Sequence, residues 1–258
     1  MILSKRTLDL LTICQKINKS IFIEKGRRLR TIENEWKKFI LEADIDEKFP
    51  CDVPIYNLKE FIDVIKEMNN PNIEFLHTYK RVEDQEGPAW DCKQPVSYLL
   101  FNKGASRFKQ EFDDPSFIAK PNKEIDFPKT DFSFYLFKDV LQKWNNQMRK
   151  QGLWHLELYG CDKTKSLFGK IHNPKNYDSK SFSTKVGEGI EINRPIILHM
   201  SLLKLLPVEN YNVHYSSSGI FKFETPDTYL RCYIPSEPVR DEEVENLKQR
   251  REVDTMID

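Results

Sequence analysis

The stretch Asp113-Asp114-Pro115-Ser116-Phe117-Ile118-Ala119-Lys120-Pro121-Asn122-Lys123-Glu124-Ile125-Asp126-Phe127-Pro128-Lys129-Thr130 divides the chain. Pro115, Pro121 and Pro128 can neither donate to a sheet ladder nor continue a helix, so the segment reads as an extended linker. It lies near the middle of 258 residues, a length that suffices for two ordinary domains. The patterns on its two sides run in the same order. Each half reads helix, several strands, a strand leading into a second helix, then a run of hairpins. Asp9-Leu10-Leu11 and Asp139-Val140-Leu141 fall at like places in the first helix of each half. Tyr56-Asn57-Leu58 and His199-Met200-Ser201 fall at the entry to the second. Such self-similarity predicts two copies of one domain, residues 1–112 and 131–238, joined by 113–130. The tail 239–258 is dense in both charges and is assigned no part in the fold.

Four segments carry helical periodicity. They are 4–18 with Ser4 as cap, 57–69, 136–150 with Phe137, Val140, Leu141, Trp144 and Met148 on one stripe, and 200–206, stopped by Pro207. Strands are expected at 21–24, 28–32, 39–44, 52–56, 73–79, 97–102 and 107–112 in the first half. In the second they are expected at 154–159, 179–186, 196–198, 211–215, 220–224 and 228–234. Ser216-Ser217-Ser218-Gly219 and Thr225-Pro226-Asp227-Thr228 mark hairpin turns.

Composition narrows the class. Lys and Arg together number 40, as do Asp and Glu, so net charge names no partner. No apolar run approaches the ~18 residues of a membrane span, and the start Met1-Ile2-Leu3-Ser4-Lys5-Arg6 carries no secretory signal. A soluble, intracellular, cytoplasmic protein is expected. Cys14, Cys51, Cys92, Cys161 and Cys232 are scattered and form no CxxC pair, the pattern of reduced thiols.

Charge is distributed by element. At ~100° per residue, Lys5, Asp9, Thr12, Lys16 and Lys19 lie within about 40° of one direction, opposite Leu3, Leu10, Cys14 and Ile17. Arg6 adds a fourth base. On the third helix Lys138, Gln142, Asn146 and Arg149 oppose the Trp144 stripe, with Lys143 and Lys150 at the flanks and Asp139 as the opposing acid. Lys204 extends the pattern to the fourth. The second helix departs from it, since Glu60, Asp63 and Glu67 outnumber Lys59 and Lys66. Excess positive charge on outward helix faces suits phosphates, contacted without regard to sequence. Charged outer faces are also what any surface helix shows.

Chemistry-bearing motifs are missing. There is no GxxxxGK[ST] loop, GxGxxG turn or HExxH. His77, His155, His172, His199 and His214 are dispersed and read as ordinary structural or surface histidines. No acidic spacing singles out a pair for metal or acid–base work. The expectation is a non-catalytic protein with no cofactor and no metal site.

The linker also carries a resemblance. Asp-Pro-Ser at 114–116, four residues, then Pro121-Asn122-Lys123-Glu124-Ile125-Asp126-Phe127-Pro128 resembles the interdomain stretch of the sliding clamps of T-even-like tailed bacteriophages. Leu3-Ser4-Lys5-x-Thr7 with Leu10-Leu11, Ala43-Asp44-Ile45 with Asp52-Val53-x-Ile55-Tyr56-x-Leu58, and Pro207-x-x-Asn210-Tyr211 with Gly219, Lys222-Phe223-Glu224 and Tyr229 are similar to other parts of that family. The resemblance keeps its order over about residues 1–235. It implies an α+β DNA-clamp fold, two similar domains each with two helices packed on antiparallel sheets, assembling into a closed ring of three subunits. It implies a processivity factor of DNA replication that encircles duplex DNA, tethers the replicative polymerase and is loaded by a clamp loader ATPase in the infected host cell.

The cations Lys5, Arg6, Lys16, Lys19, Lys138, Lys143, Arg149, Lys150 and Lys204 would then face DNA. Edge strands at 106–112 and 179–186 would pair between subunits. Phe117, Ile118, Ile125, Phe127, Pro128, Tyr233, Ile234 and Pro235 would form the partner groove. Material around 81–95 and 162–180 and the tail after Pro238 depart from the family pattern. The competing expectation is a clamp-fold structural or interaction module that does not encircle DNA.

Overall fold

Ser4 opens the first helix, α1 (Lys5–Ile17), its hydroxyl accepting from the Thr7 backbone N–H at 3.2 Å. The Glu47 carboxylate accepts from the Ser4 N–H and the Thr7 hydroxyl. Negative charge thus sits at the helix N-terminus, where the peptide dipoles favour it. Leu10, Leu11, Cys14 and Ile17 bury the inner stripe. Burial pushes the Cys14 thiol up to about 12, so it stays protonated and inert.

The computed structural model describes residues 1–81, 93–161, 164–173, 180–190, 192 and 194–239. The chain forms two units, one of Met1–Lys37 with Leu41–Lys123, the other of Lys38–Ile40 with the residues from Glu124 onward. The boundary between Lys123 and Glu124 falls inside the linker read from sequence.

In the first unit α1 is followed by β1 (Ile21–Ile23), β2 (Gly26–Ile32), β3 (Ile40–Phe49), β4 (Val53–Ile55) and α2 (Leu58–Glu67). Then come β5 (Asn72–Arg81), β6 (Lys93–Lys103) and β7 (Ser106–Glu111). β1 pairs antiparallel with β4, β2 neighbours β3, and β5-β6-β7 form a three-stranded sheet. Asn57 caps α2 by accepting from the Glu60 N–H at 3.3 Å, and α1 packs beside α2.

The second unit repeats this order. After β8 (Phe132–Leu136) come α3 (Lys138–Gln151), β9 (His155–Cys161), β10 (Ser166–His172), β11 (Ser181–Glu188), β12 (Ile196–His199) and α4 (Met200–Leu203). β13 (Tyr211–Ser216), β14 (Ile220–Glu224) and β15 (Leu230–Pro235) complete it. The sheets run β11-β10-β9-β12 and β15-β14-β13-β8. β8 pairs with β13, the first strand after α4. Its counterpart in the first unit is the chain start, where the Met1 carbonyl accepts from Ile73 N–H of β5, the first strand after α2. Each unit thus runs helix, four strands, helix, three strands, the second preceded by β8, with antiparallel pairing throughout the described ladders.

Trp144 and Gly169 lock α3 onto its sheet. The indole is 1 % exposed, and a β-carbon at position 169 would stand 2.5 Å from its Cζ2 atom. Only glycine permits that approach.

Several expectations are corrected. Phe132–Leu136 is a strand, hidden in the sequence because its apolar residues run into the helical pattern that follows. Residues Ser166–His172 form a strand not expected from the sequence, β10, which lies between β9 and β11 inside its sheet. Gly169 and the buried Lys170 disguise its alternation. The helix expected from 136 starts at Lys138, leaving Phe137 exposed at the cap position with its ring edge-on to Tyr135, off the Trp144 stripe. The helix at 200–206 is one turn, continued to Leu206 by tighter bonds. Residues 82–92 of the 81–95 loop and 240–258 of the tail lie outside the described residues, as does 179 at the start of the expected edge strand. Among the described residues no helix is long and apolar enough to cross a membrane.

A buried ion pair ties the first unit to its linker. Arg30 Nε on β2 lies 2.8 Å from Glu42 Oε1 on β3, and an Arg30 terminal nitrogen donates to the Lys123 carbonyl. Arg30→Ala should cost about 3–5 kcal/mol in urea unfolding, because it breaks a buried ion pair and removes the bond to the Lys123 carbonyl. The double change R30M/E42L should recover most of that loss.

Candidate nucleic-acid and partner interfaces

Burying the apolar stripes leaves the opposite faces of the helices to solvent, and the cations are there. Lys5, Arg6, Lys16 and Lys19 are exposed on and just after α1, with Asp9 among them. They are not equivalent. Arg6 is drawn to β3, its guanidinium 3.3 Å from Asp46 Oδ1 and donating to the Asp44 carbonyl at 3.2 Å. Lys138, Lys143, Arg149 and Lys150 are exposed on α3, and Lys204 just after α4. Asp139 is the one acid within α3. The helix starts without a cap from Phe137; instead the Lys138 N–H donates to Asn210 Oδ1 at 2.9 Å. On α2, Asn57, Lys59, Glu60, Asp63, Val64 and Glu67 line a shallow, acid-rich cleft, so that helix breaks the basic pattern.

β7 is one of the two outer strands of β5-β6-β7, and β11 is one of the two outer strands of β11-β10-β9-β12. These fall at the edges expected from residues 106–112 and 179–186. An outer strand presents unpaired backbone groups, a template for another chain.

In the first unit the linker makes an apolar cleft of about 450 Å³ lined by Tyr56, Asp113, Asp114 and Phe117. Asp113 Oδ2 accepts from the Tyr56 N–H at 2.7 Å. Asp114 caps the 3-10 turn Pro115–Phe117, accepting from the Ser116 N–H at 2.8 Å, and that bond holds its carboxyl below the usual range. The turn leaves Phe117 72 % exposed but sinks Ile118 to 5 %. In the second unit Phe127 stacks obliquely on Tyr233 at 6.4 Å, and Lys222 Nζ lies 5.5 Å from the Phe127 ring centre. Ile125, Phe127 and Pro235 are half-buried, and Pro128 is exposed. Ile118, Tyr233 and Ile234 are buried and can only support such a surface from beneath.

Sequence reasoning missed two features. Tyr56 is 59 % exposed beside Phe117, signalled only by an aromatic just before a helix cap. His155 and His199, dispersed in the sequence, meet Glu237 in the fold, one donor atom of each within 4.8 Å of the others.

No family model matches the sequence. A sliding clamp of Vibrio phage KVP40 is 23 % identical over 126 residues, covering 49 % of this chain and 48 % of that protein. The match therefore spans about half the length of that relative. Three solved structures are similar over nearly the whole chain. The proliferating cellular nuclear antigen (PCNA) of Entamoeba histolytica aligns with a TM-score of 0.58 at 13 % identity, covering 90 % of this chain and 95 % of that one. The PCNA2–PCNA3 complex of Sulfolobus tokodaii gives 0.56 at 12 %, covering 92 % and 98 %. A. fulgidus PCNA bound to the C-terminal region of FEN-1 gives 0.57 at 13 %, covering 93 % and 98 %. The chain has the PCNA-type DNA-clamp fold.

Within this clamp fold the Asp113 bond to Tyr56 fixes one wall of the linker cleft. Asp113→Ala should cost about 1 kcal/mol and speed amide hydrogen exchange at Tyr56, with β13–β15 unaffected.

Proposed function

We propose that the protein is a sliding clamp of the tailed-phage type, a homotrimeric ring that encircles duplex DNA and tethers the replicative DNA polymerase. The observation that carries this reading is the clamp fold with exposed cations on α1 and α3 and an outer strand in each unit. Joining β7 of one subunit to β11 of the next is a heterologous, head-to-tail contact, and such contacts close into a ring when the rotation allows. Lysines on flexible stems then meet phosphates diffusely, which permits sliding because no base is read. Enclosure supplies the retention that weak contacts cannot.

Lys5, Lys16, Lys19, Lys138, Lys143, Arg149, Lys150 and Lys204 serve as the DNA-facing cations in this reading. Arg6 contributes less because Asp46 holds it. Phe117 with Tyr56, and Phe127 with Ile125, Pro128 and Pro235, receive short apolar segments of the polymerase and of a clamp loader ATPase. The function needs no catalytic residue and no cofactor, and it is exercised in the cytoplasm of an infected cell.

Light scattering after size exclusion at micromolar concentration should give three chain masses; a single-chain mass removes the ring. The combined variant K5E/K16E/K138E/R149E should keep that mass yet load poorly onto circular DNA. Its salt dependence of loading should flatten by roughly three to four counterions. F117A and F127A should each reduce polymerase stimulation severalfold at unchanged assembly mass.

A further inference from the structure

His155 and His199 are register partners on the adjacent strands β9 and β12, so both imidazoles stand on one face of the sheet. Glu237 arrives by another route. Just past β15, its N–H donates to the Ile197 carbonyl at 2.8 Å, which adds the segment to the outer edge of β12. Its carboxylate Oε2 then lies 3.5 Å from His155 Nε2, and the two imidazole centres are 5.6 Å apart. All three residues are half-buried. His172 on β10 packs edge-on against the other side of His155, at 5.9 Å between ring centres, and limits where that ring can turn.

We propose that His155, His199 and Glu237 form a binding site for a divalent transition-metal cation of the zinc type. Two imidazoles and one carboxylate are a donor set that borderline cations prefer, and water would complete a tetrahedron. Ligands about 2.0–2.1 Å from zinc stand roughly 3.4 Å from one another, so the present 4.8 Å limit requires only modest side-chain rotation. The backbone needs no change, because ladder bonds fix all three positions. An outer hydrogen bond is in place as well: Ser201 Oγ lies 2.5 Å from His199 Nδ1. The Ser201 N–H also donates to that nitrogen at 3.2 Å, so two contacts from one residue hold the His199 ring in place. A bound cation would clip the chain emerging from β15 to the edge of the four-stranded sheet, adding a cross-link beside the backbone bridge to Ile197.

The full chain, stripped with chelator and titrated calorimetrically with Zn²⁺ alone, should show one saturable site per chain. Zinc should also raise its Tm, since a cation held only by the folded state stabilises that state. H155A and E237Q should each weaken binding by about tenfold or more, while H77A, a change in the other unit, should leave it intact. E237Q keeps the side chain's size and the backbone bridge, so its loss of affinity would not reflect unfolding. Absence of saturable binding in the unmodified chain, or E237Q and H155A binding as tightly as that chain, would overturn the site.

Discussion

Arg30 and Glu42 face each other across β2 and β3 with almost no access to water, and the same guanidinium reaches the Lys123 carbonyl. Charge in such a place is tolerated only when each member is satisfied, so the pair behaves as a unit. Its effect is positional. By holding the carbonyl of a linker residue, it sets where the proline-rich stretch leaves the first unit. Upstream, Asp113 and Asp114 do similar work, one bonding the Tyr56 N–H and the other turning the chain through Pro115–Phe117. A segment with few strand bonds of its own is thus shaped by three polar anchors. Phe117 is presented outward as a result.

Local charge placement resolves the neutrality of the whole chain. Equal totals of acid and base conceal the basic solvent faces of α1 and α3, with compensating acids elsewhere, among them Glu60, Asp63 and Glu67 of α2. Some of that compensation is direct, as where Asp46 takes Arg6. The lysines of α1 and α3 keep long stems in water, which is the condition for diffuse contact with a polyanion. α2 with its acidic cleft is different, so the two helices of the first unit are not interchangeable.

Much of the architecture was legible because it rests on short-range rules. Ser4 and Asn57 as caps, the stripes of α1 and α2, the hairpin turn at Gly219 with its positive φ, and the doubled element order all follow from neighbouring residues. What escaped depends on partners far away in sequence. β10 hides because Gly169 exists for Trp144, and Lys170 is buried where alternation predicts a polar, exposed position. The outward Phe117 and inward Ile118 are adjacent, and only the turn decides which is which. His155, His199 and Glu237 meet through a register and a bridge that no local spacing encodes.

The contact between Trp144 and Gly169 has a mechanical side. A bicyclic ring seated over a bare α-carbon acts as a key in a slot, and rolling α3 about its long axis would drive the ring into the β10 backbone. The angular bearing of the helix is therefore fixed, however freely its lysine tips swing. The exposed side chains of such a helix can be loose at the fingertips while the hand that carries them does not turn.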